Sequence, residues 1–376
     1  MFSDIKVDVN RCTLTSLDGG LFIAVNCLIS VIGSSGNIFV CLTVLFTPRL
    51  QVVSNYCIVN LALADLIVNV LTEPLAIAIF VGKLDGTCYV RAEHAARFIG
   101  NLSCALSLLT LATMSFDRCF VILKPMKYKQ VVTPTLLKSM LIFYWFLALI
   151  VPILDAFVED KLVYIHFILC GIIIMYSVVI ICYSAIFISV QKQNSVRQRE
   201  LQNHQSANNE KDKRLAKTIA LVIGFFTVFW MPFGYHIAKS PQKNYGLSYI
   251  ASVTASFANS AINPLIYFYR NKCFRDALRR ILSNCHRRHI VNPLRASLQN
   301  PTNNNATPTA LQRRIPSKNV GDMKLQWRCQ ILQLLTEGSD ELLEASRQET
   351  KLWTDRQNKS YGVHLMFWSC KKILQL

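Results

Sequence analysis

The stretch Cys57-Ile-Val-Asn-Leu-Ala-Leu-Ala-Asp65-Leu-Ile-Val-Asn-Val70 decides the fold. With its flanks it is apolar for longer than the roughly 20 residues that cross a hydrocarbon core, yet a carboxylate stands at its centre. A charge at that depth is costly in lipid, so Asp65 faces a polar site inside a helix bundle. The groups able to form that site are Asn37, Ser107, Asn259, Ser260 and Asn263, each embedded in another apolar stretch. A membrane protein that keeps one acid among amides and hydroxyls at mid-depth preserves a switch or an ion site.

Working outward, seven apolar stretches follow one another at 20–46, 53–81, 91–123, 134–157, 162–190, 213–238 and 246–269. Only 16% of the 376 residues are charged, where a soluble protein has about 25%. Backbone groups in lipid must be satisfied within each segment, which selects helices over open sheets. The expectation is an all-α, seven-transmembrane helix bundle. The third stretch is about 33 residues, or roughly 50 Å of helix, so it tilts or protrudes from the bilayer.

The net charge of +18 invites a nucleic-acid reading, but its distribution argues against one. Basic residues gather in alternate loops: Arg49; Lys124, Lys127 and Lys129; Lys192 to Arg214; then Arg270 to Arg280. The intervening loops are short and mixed. The positive-inside rule makes the basic loops cytoplasmic and the N-terminus extracellular. The chain is then partitioned into an extracellular head (1–19), the membrane domain (20–270), an amphipathic interfacial helix (271–285) and a mostly disordered cytoplasmic tail (286–376). The first span serves as insertion signal, with no cleaved leader. The interfacial helix is read from Phe274, Ala277, Leu278, Ile281 and Leu282 on one face and basic residues opposite, with Cys285 beyond it a palmitoylation candidate. Of 13 cysteines only Cys12 and Cys88 are clearly extracellular; a disulfide between them and two unlinked thiols both fit.

Several motifs recur along the spans. Asp117-Arg118 ends the third, with Pro125, Met126 and Tyr128 behind it, and Asp212 begins the sixth. An Asp-Arg pair there serves as an interfacial anchor, or, with Asp212 nearby, as a tie between spans three and six that releases in another state. Pro232 kinks span six beside Trp230. Asn259, Ser260 and Asn263 place polar groups on one face of span seven beside Pro264 and Tyr267, and Tyr183 in span five is placed to meet Tyr267 through water. Trp145 and Gly36-Asn37 are packing and hydrogen-bonding positions.

Together these residues resemble a rhodopsin-type (class A) G-protein-coupled receptor over about residues 20–285. The likeness rests on Gly36-Asn37, Asn60-Leu-Ala-Leu-Ala-Asp65, Asp117-Arg118, Trp145, Phe229-Trp230-Met-Pro232 and Asn263-Pro264-x-x-Tyr267. It implies that Asp65, Ser107, Asn259 and Asn263 hold an allosteric sodium ion capped by Trp230. It further implies that Arg118 leaves Asp117 and Asp212 to face a heterotrimeric G protein, with Tyr183 and Tyr267 closing behind and Met126 entering the Gα subunit. Leu108, Met175, Phe226, Trp230 and Pro232 transmit the movement. Arrestin and a receptor kinase are further partners of such a receptor, as are membrane lipids; nucleic acid is not.

The departures narrow the ligand. Cys119 replaces the tyrosine of the Asp-Arg-Tyr motif, Met175 stands for the usual proline, Glu93 occupies the place of the conserved third-span cysteine, and the second extracellular loop has no cysteine. The usual disulfide is therefore expected to be absent. These gaps resemble the branch of melanocortin, lysophospholipid, cannabinoid and adenosine receptors, melanocortin receptors most. Glu93 matches an acidic position that binds calcium and peptide there, but Arg97 inverts the next charge, and an ion pair of Glu93 or Glu73 with Arg97 is the plainer reading. Gly100 replaces the aspartate of amine receptors, no lysine lies between Gly246 and Tyr269 to bind retinal, and Ile237 replaces the adenine-binding asparagine of adenosine receptors. The expectation is a plasma-membrane receptor, not an enzyme. Its ligand is a small molecule, lipid or peptide, the last two favoured, reaching a pocket of Glu73, Glu93, Arg97, Gly100, Phe233 and His236. A transporter needs further ionisable groups and paired repeats, which the sequence lacks. An uncoupled decoy sits poorly with Asp117-Arg118, Tyr183 and Tyr267 all in place.

Overall fold

The computed structural model describes residues 13–197, 206–239 and 246–283. The chain divides into two compact units, Met1–Arg275 and Asp276–Leu376. Within the first, seven long helices follow in order: α1 Ser16–Phe46, α2 Val53–Leu84, α3 Val90–Leu123, α4 Pro134–Phe157, α5 Lys161–Arg197, α6 Ser206–Lys239 and α7 Leu247–Arg270. Two short helices, Pro48–Leu50 and Pro125–Val131, turn the chain between spans. Residues 272–283 are also helical.

The helix limits have local causes. Thr15 caps α1, its hydroxyl accepting from the Asp18 N–H at 3.2 Å, and Thr133 caps α4 in the same way ahead of Pro134. Such caps satisfy donors that the first turn leaves orphaned. At the far end of α2, Gly86 takes a φ of 71°, a left-handed conformation cheap only without a Cβ. Pro74 cannot donate into the ladder, and α2 accommodates it with a π-helical turn over Val68–Thr72. Pro232 and Pro264 lie inside α6 and α7.

α1 packs against α2 and α7, α7 against α6, and α3 runs through the middle against α2, α4, α5 and α6. Two glycines let backbones close in. A Cβ on Gly33 would stand 2.4 Å from the Asn69 side chain, and one on Gly36 would stand 2.9 Å from Pro264. Six of the seven helices are long and apolar enough to cross a membrane. α7 departs from that composition because Ser252, Thr254, Ser256, Asn259, Ser260 and Asn263 are all buried along it. The outside of α4 and α5 is apolar instead: Ile142, Phe143, Phe146, Ile173, Ile181 and Phe187 each expose 60% or more of their surface. A continuous band of that kind is tolerated where lipid, not water, is the neighbour.

Candidate functional site

Asp65 is 1% exposed. Asn263 donates its amide to the Asp65 carboxylate at 2.8 Å, and Ser260 hydrogen-bonds to it as well. Asn37 then donates to the Ser260 carbonyl at 3.0 Å and to the Gly33 carbonyl at 2.9 Å. One carboxylate thus draws α1, α2 and α7 together. Ser107 and Asn259 are buried on α3 and α7. The Asn259 and Asn263 amide oxygens and the Trp230 indole N–H have no hydrogen-bond partner among the described residues. Orphaned amide oxygens near a buried carboxylate make a hard oxygen donor set, which fits a small cation.

At the C-terminal end of α3 a buried carboxylate and guanidinium are paired. Asp117 and Arg118 are 6% and 3% exposed. Arg118 donates Nε to Asp117 Oδ2 at 3.0 Å, and its Nη2 engages Asp117 and the Ser54 hydroxyl. Ser54 also donates to Asp117 Oδ2 at 2.9 Å, and the Tyr128 hydroxyl donates to Oδ1 at 2.6 Å. Burial, then the neighbouring Asp117 charge, pushes the Tyr128 phenol above its ordinary range, so it remains a donor. Four side chains from α2, α3 and the Pro125–Val131 helix neutralise one another where the chain leaves the bundle. The sequence signalled Asp117, Arg118 and Tyr128; it gave no sign of Ser54 beyond a hydroxyl at the inner end of the second span. The Asp212 side chain lies outside the described residues, as do Cys12 and Cys285. Met126 is 74% exposed on the short helix, open to a partner.

Tyr183 and Tyr267 have separate direct surroundings. Tyr183 donates to the Ala216 carbonyl of α6 at 3.0 Å. Tyr267 is buried, its ring packed 6.4 Å from Phe274. α6 lies close enough to α5 to capture the first hydroxyl, and the turn after α7 covers the second ring.

Between these layers, Leu108, Met175 and Phe226 line one small apolar cavity together with Leu111, Tyr176, Val179 and Ile223. Trp230 stacks on Phe226 at 5.7 Å and meets Phe233 edge-on at 5.8 Å. Tyr176 and Thr227 share a hydrogen bond of 2.9 Å between α5 and α6. Above them Phe233 and His236 meet Tyr249 of α7 at 6.0 and 6.2 Å. Tyr249 was missed in the sequence because a lone tyrosine at the mouth of a span carries no motif.

The charged pocket candidates part company. Glu93 pairs with Lys83 at 3.8 Å rather than with Arg97. Glu73 is fully buried and its oxygens have no hydrogen-bond partner among the described residues. The expected ion pair of either acid with Arg97 is therefore corrected: Lys83, at the end of α2, reaches Glu93 first, and Arg97 lies within Coulombic reach of Tyr164. There Asn101 donates to Asp155 and to the Tyr164 hydroxyl, both at 3.3 Å. Gly100 faces Thr72, whose methyl would be 3.9 Å from an added Cβ. Cys88 is disulfide-bonded, and the other described cysteines carry thiols, so its partner lies among the residues not described.

A buried acid tying three of seven helices, with a proline inside the sixth, matches a known architecture. The family model for "7 transmembrane receptor (rhodopsin family)" fits residues 36–166 and 157–267. The chain belongs to this family. It is a multi-pass membrane receptor and not an enzyme. Among curated relatives, adenosine receptor A2b of Rattus norvegicus is 26% identical over 308 residues, covering 70% of this chain and 90% of the relative. Adenosine receptor A2a of Homo sapiens is 27% identical over 319 residues, covering 73% and 74%. The adenosine receptors belong to the branch that the missing motifs indicated, although melanocortin receptors were ranked nearer on those gaps.

Proposed function

We propose that this receptor carries an extracellular chemical signal across the plasma membrane to a heterotrimeric G protein, its N-terminus outside. The closed Asp117–Arg118–Ser54–Tyr128 lock supports this reading above all. A buried arginine tied to the carboxylate next to it is a latent docking group. Released, it adds a cation beside exposed Met126 on a face whose loops are already basic. Outward movement of α6 would part Tyr183 from the Ala216 carbonyl and open that face.

The ligand we propose is a small molecule with an aromatic portion, received by Phe233, His236 and Tyr249 above Trp230. Rings at these separations leave faces and edges that favour stacking. The names of the adenosine receptors support a small ligand; Ile237, where those receptors carry their adenine-binding asparagine, argues against adenosine itself. A lipid or peptide ligand remains the second reading, since Lys83, Glu93 and Arg97 put charge at the rim. Asp65, Asn259, Ser260 and Asn263 would hold a sodium ion, with Ser107 and Trp230 nearby; such an ion would supply positive charge that fixes the resting arrangement. Residues 272–283 would lie along the inner leaflet. Cys12 would be the partner of Cys88, because Leu14 already donates its N–H to the Lys83 carbonyl at 3.1 Å, close to the α2–α3 turn.

The test uses cells carrying a promiscuous Gα subunit and panels of nucleosides, lipids and peptides. Arg118→Ala should cut agonist-driven nucleotide exchange by about tenfold or more while surface expression holds, the loss of a charged docking contact. Full signalling by that variant would remove Arg118 from the mechanism.

A further inference from the structure

A second buried acid stands one side of the site just described, and its surroundings are unusual. Glu73 is 0% exposed, and neither carboxylate oxygen has a hydrogen-bond partner among the described residues. Asn69 is 0% exposed with both amide atoms unpartnered, and the Thr72 hydroxyl and the Asn26 amide oxygen are buried and unpartnered as well. Most buried polar atoms in proteins are satisfied, so a group of this size calls for an explanation.

Asn69, Thr72 and Glu73 lie within five residues on α2, the Asn69 amide against Gly33 of α1; Asn26 stands seven residues nearer the start of α1 and turns away, donating to the Phe22 carbonyl at 2.7 Å. α1 and α2 run antiparallel, and Ser30 donates to the Asn69 carbonyl at 2.6 Å. Four residues outward from that bond come Asn26 on α1 and Glu73 on α2; further out Phe22 and Phe80 meet at 5.9 Å. The π turn over Val68–Thr72 widens the helix just here, which carries Glu73 back nearly into line with Asn69. Asn26 also donates to Thr254 of α7 at 3.1 Å, which satisfies its amide nitrogen apart from the α2 group.

The donor and acceptor balance indicates what is bound. Glu73, Asn69 and Thr72 offer four unpartnered oxygens and only two kinds of donor, the Asn69 amide and the Thr72 hydroxyl. A proton on Glu73 would satisfy one oxygen and leave the excess. A small cation with its waters satisfies several at once and neutralises a carboxylate that burial otherwise penalises. We propose that Glu73, with Asn69 and Thr72, forms a second monovalent-cation site on α2 beside α1, taking sodium from the outer side. It does not depend on sodium at Asp65.

Thermal unfolding of the purified full-length receptor decides it, with sodium chloride replacing choline chloride from about 1 to about 300 mM at fixed ionic strength. An Asp65→Asn background removes the mid-membrane acid. There, sodium should still raise the unfolding temperature, by about 2–5 °C. Adding Glu73→Gln should abolish that rise, and Thr72→Val, nearly isosteric, should move its midpoint several-fold to higher sodium. No sodium response in the Asp65→Asn background, with a pH-dependent one in its place, overturns the cation and leaves a proton. A sodium response that survives Glu73→Gln overturns the residue assignment. If Asp65→Asn and wild type respond alike and Glu73→Gln abolishes both, the Asp65 reading fails and this one stands.

Discussion

Asn60 is held from two sides, donating to the Thr110 hydroxyl at 2.8 Å and accepting from the Trp145 indole at 3.0 Å. Replacing Trp145 with Phe keeps a ring but leaves the Asn60 oxygen buried and unpaired, at a cost of about 1–3 kcal/mol. The measurable outcome is a lower unfolding temperature with ligand affinity little changed. Tyr128 acts on function instead. Tyr128→Phe deletes a 2.6 Å bond to Asp117; bonds to charged acceptors are worth about 1.5–3 kcal/mol. Losing it should raise ligand-independent nucleotide exchange several-fold, whereas unaltered basal activity would detach Tyr128 from the lock. At this scale the sequence was partly legible. Trp145, Asp117, Arg118 and Tyr128 stand in motifs whose spacing along a helix is fixed. Ser54 and Thr110 were not legible, because their roles depend on how two helices are offset, and no single helix records that offset.

Among the elements, hydropathy located the helices well, since the length of an apolar run is what it measures. It said nothing of pitch. The π turn before Pro74 shifts every later side chain of α2 around the axis, and that shift buries Glu73 instead of aiming it at Arg97. Pro232 and Pro264 both fall inside continuous helices, positions the sequence shows directly. Gly36 marks a closer constraint, for α1 passes Pro264 with no room for a methyl. Gly36→Ala should force the two helices apart and cost about 1–3 kcal/mol, the usual penalty of overpacking. Gly224 on α6 is the control: nothing lies within 4 Å of its added Cβ. Gly224→Ala should match or exceed wild type in unfolding temperature, since alanine favours the helix, while Gly36→Ala falls below it. Equal stability of the two variants would mean α1 and α7 are not held at that distance.

For the whole molecule, Asp65 matters because it joins helices that the outer pocket and the inner lock also share. Through Asn263, Ser260 and Asn37 it fixes α7 against α1 and α2, and Phe226 and Trp230 carry α6 past the same level. That convergence was legible because a lone carboxylate in an apolar run admits few roles. Which oxygens remain unpaired around it was not, being a property of side-chain rotamers. An ion held there stabilises only the arrangement in which these oxygens point inward, so it opposes any ligand that favours another arrangement. A ligand and an ion with opposite preferences for two states must weaken each other reciprocally. Raising sodium at constant ionic strength should therefore lower agonist affinity in wild type by a factor within the ~5–150-fold range common for such coupling. Asp65→Asn keeps a hydrogen-bonding side chain of the same shape while removing the charge, and should abolish that dependence. Glu73→Gln should retain it, because Glu73 lies on α2 a turn beyond Asn69, away from α6. Radioligand binding across a sodium series checks both variants, and an agonist whose affinity in Asp65→Asn still falls with sodium as it does in wild type would remove the ion from Asp65.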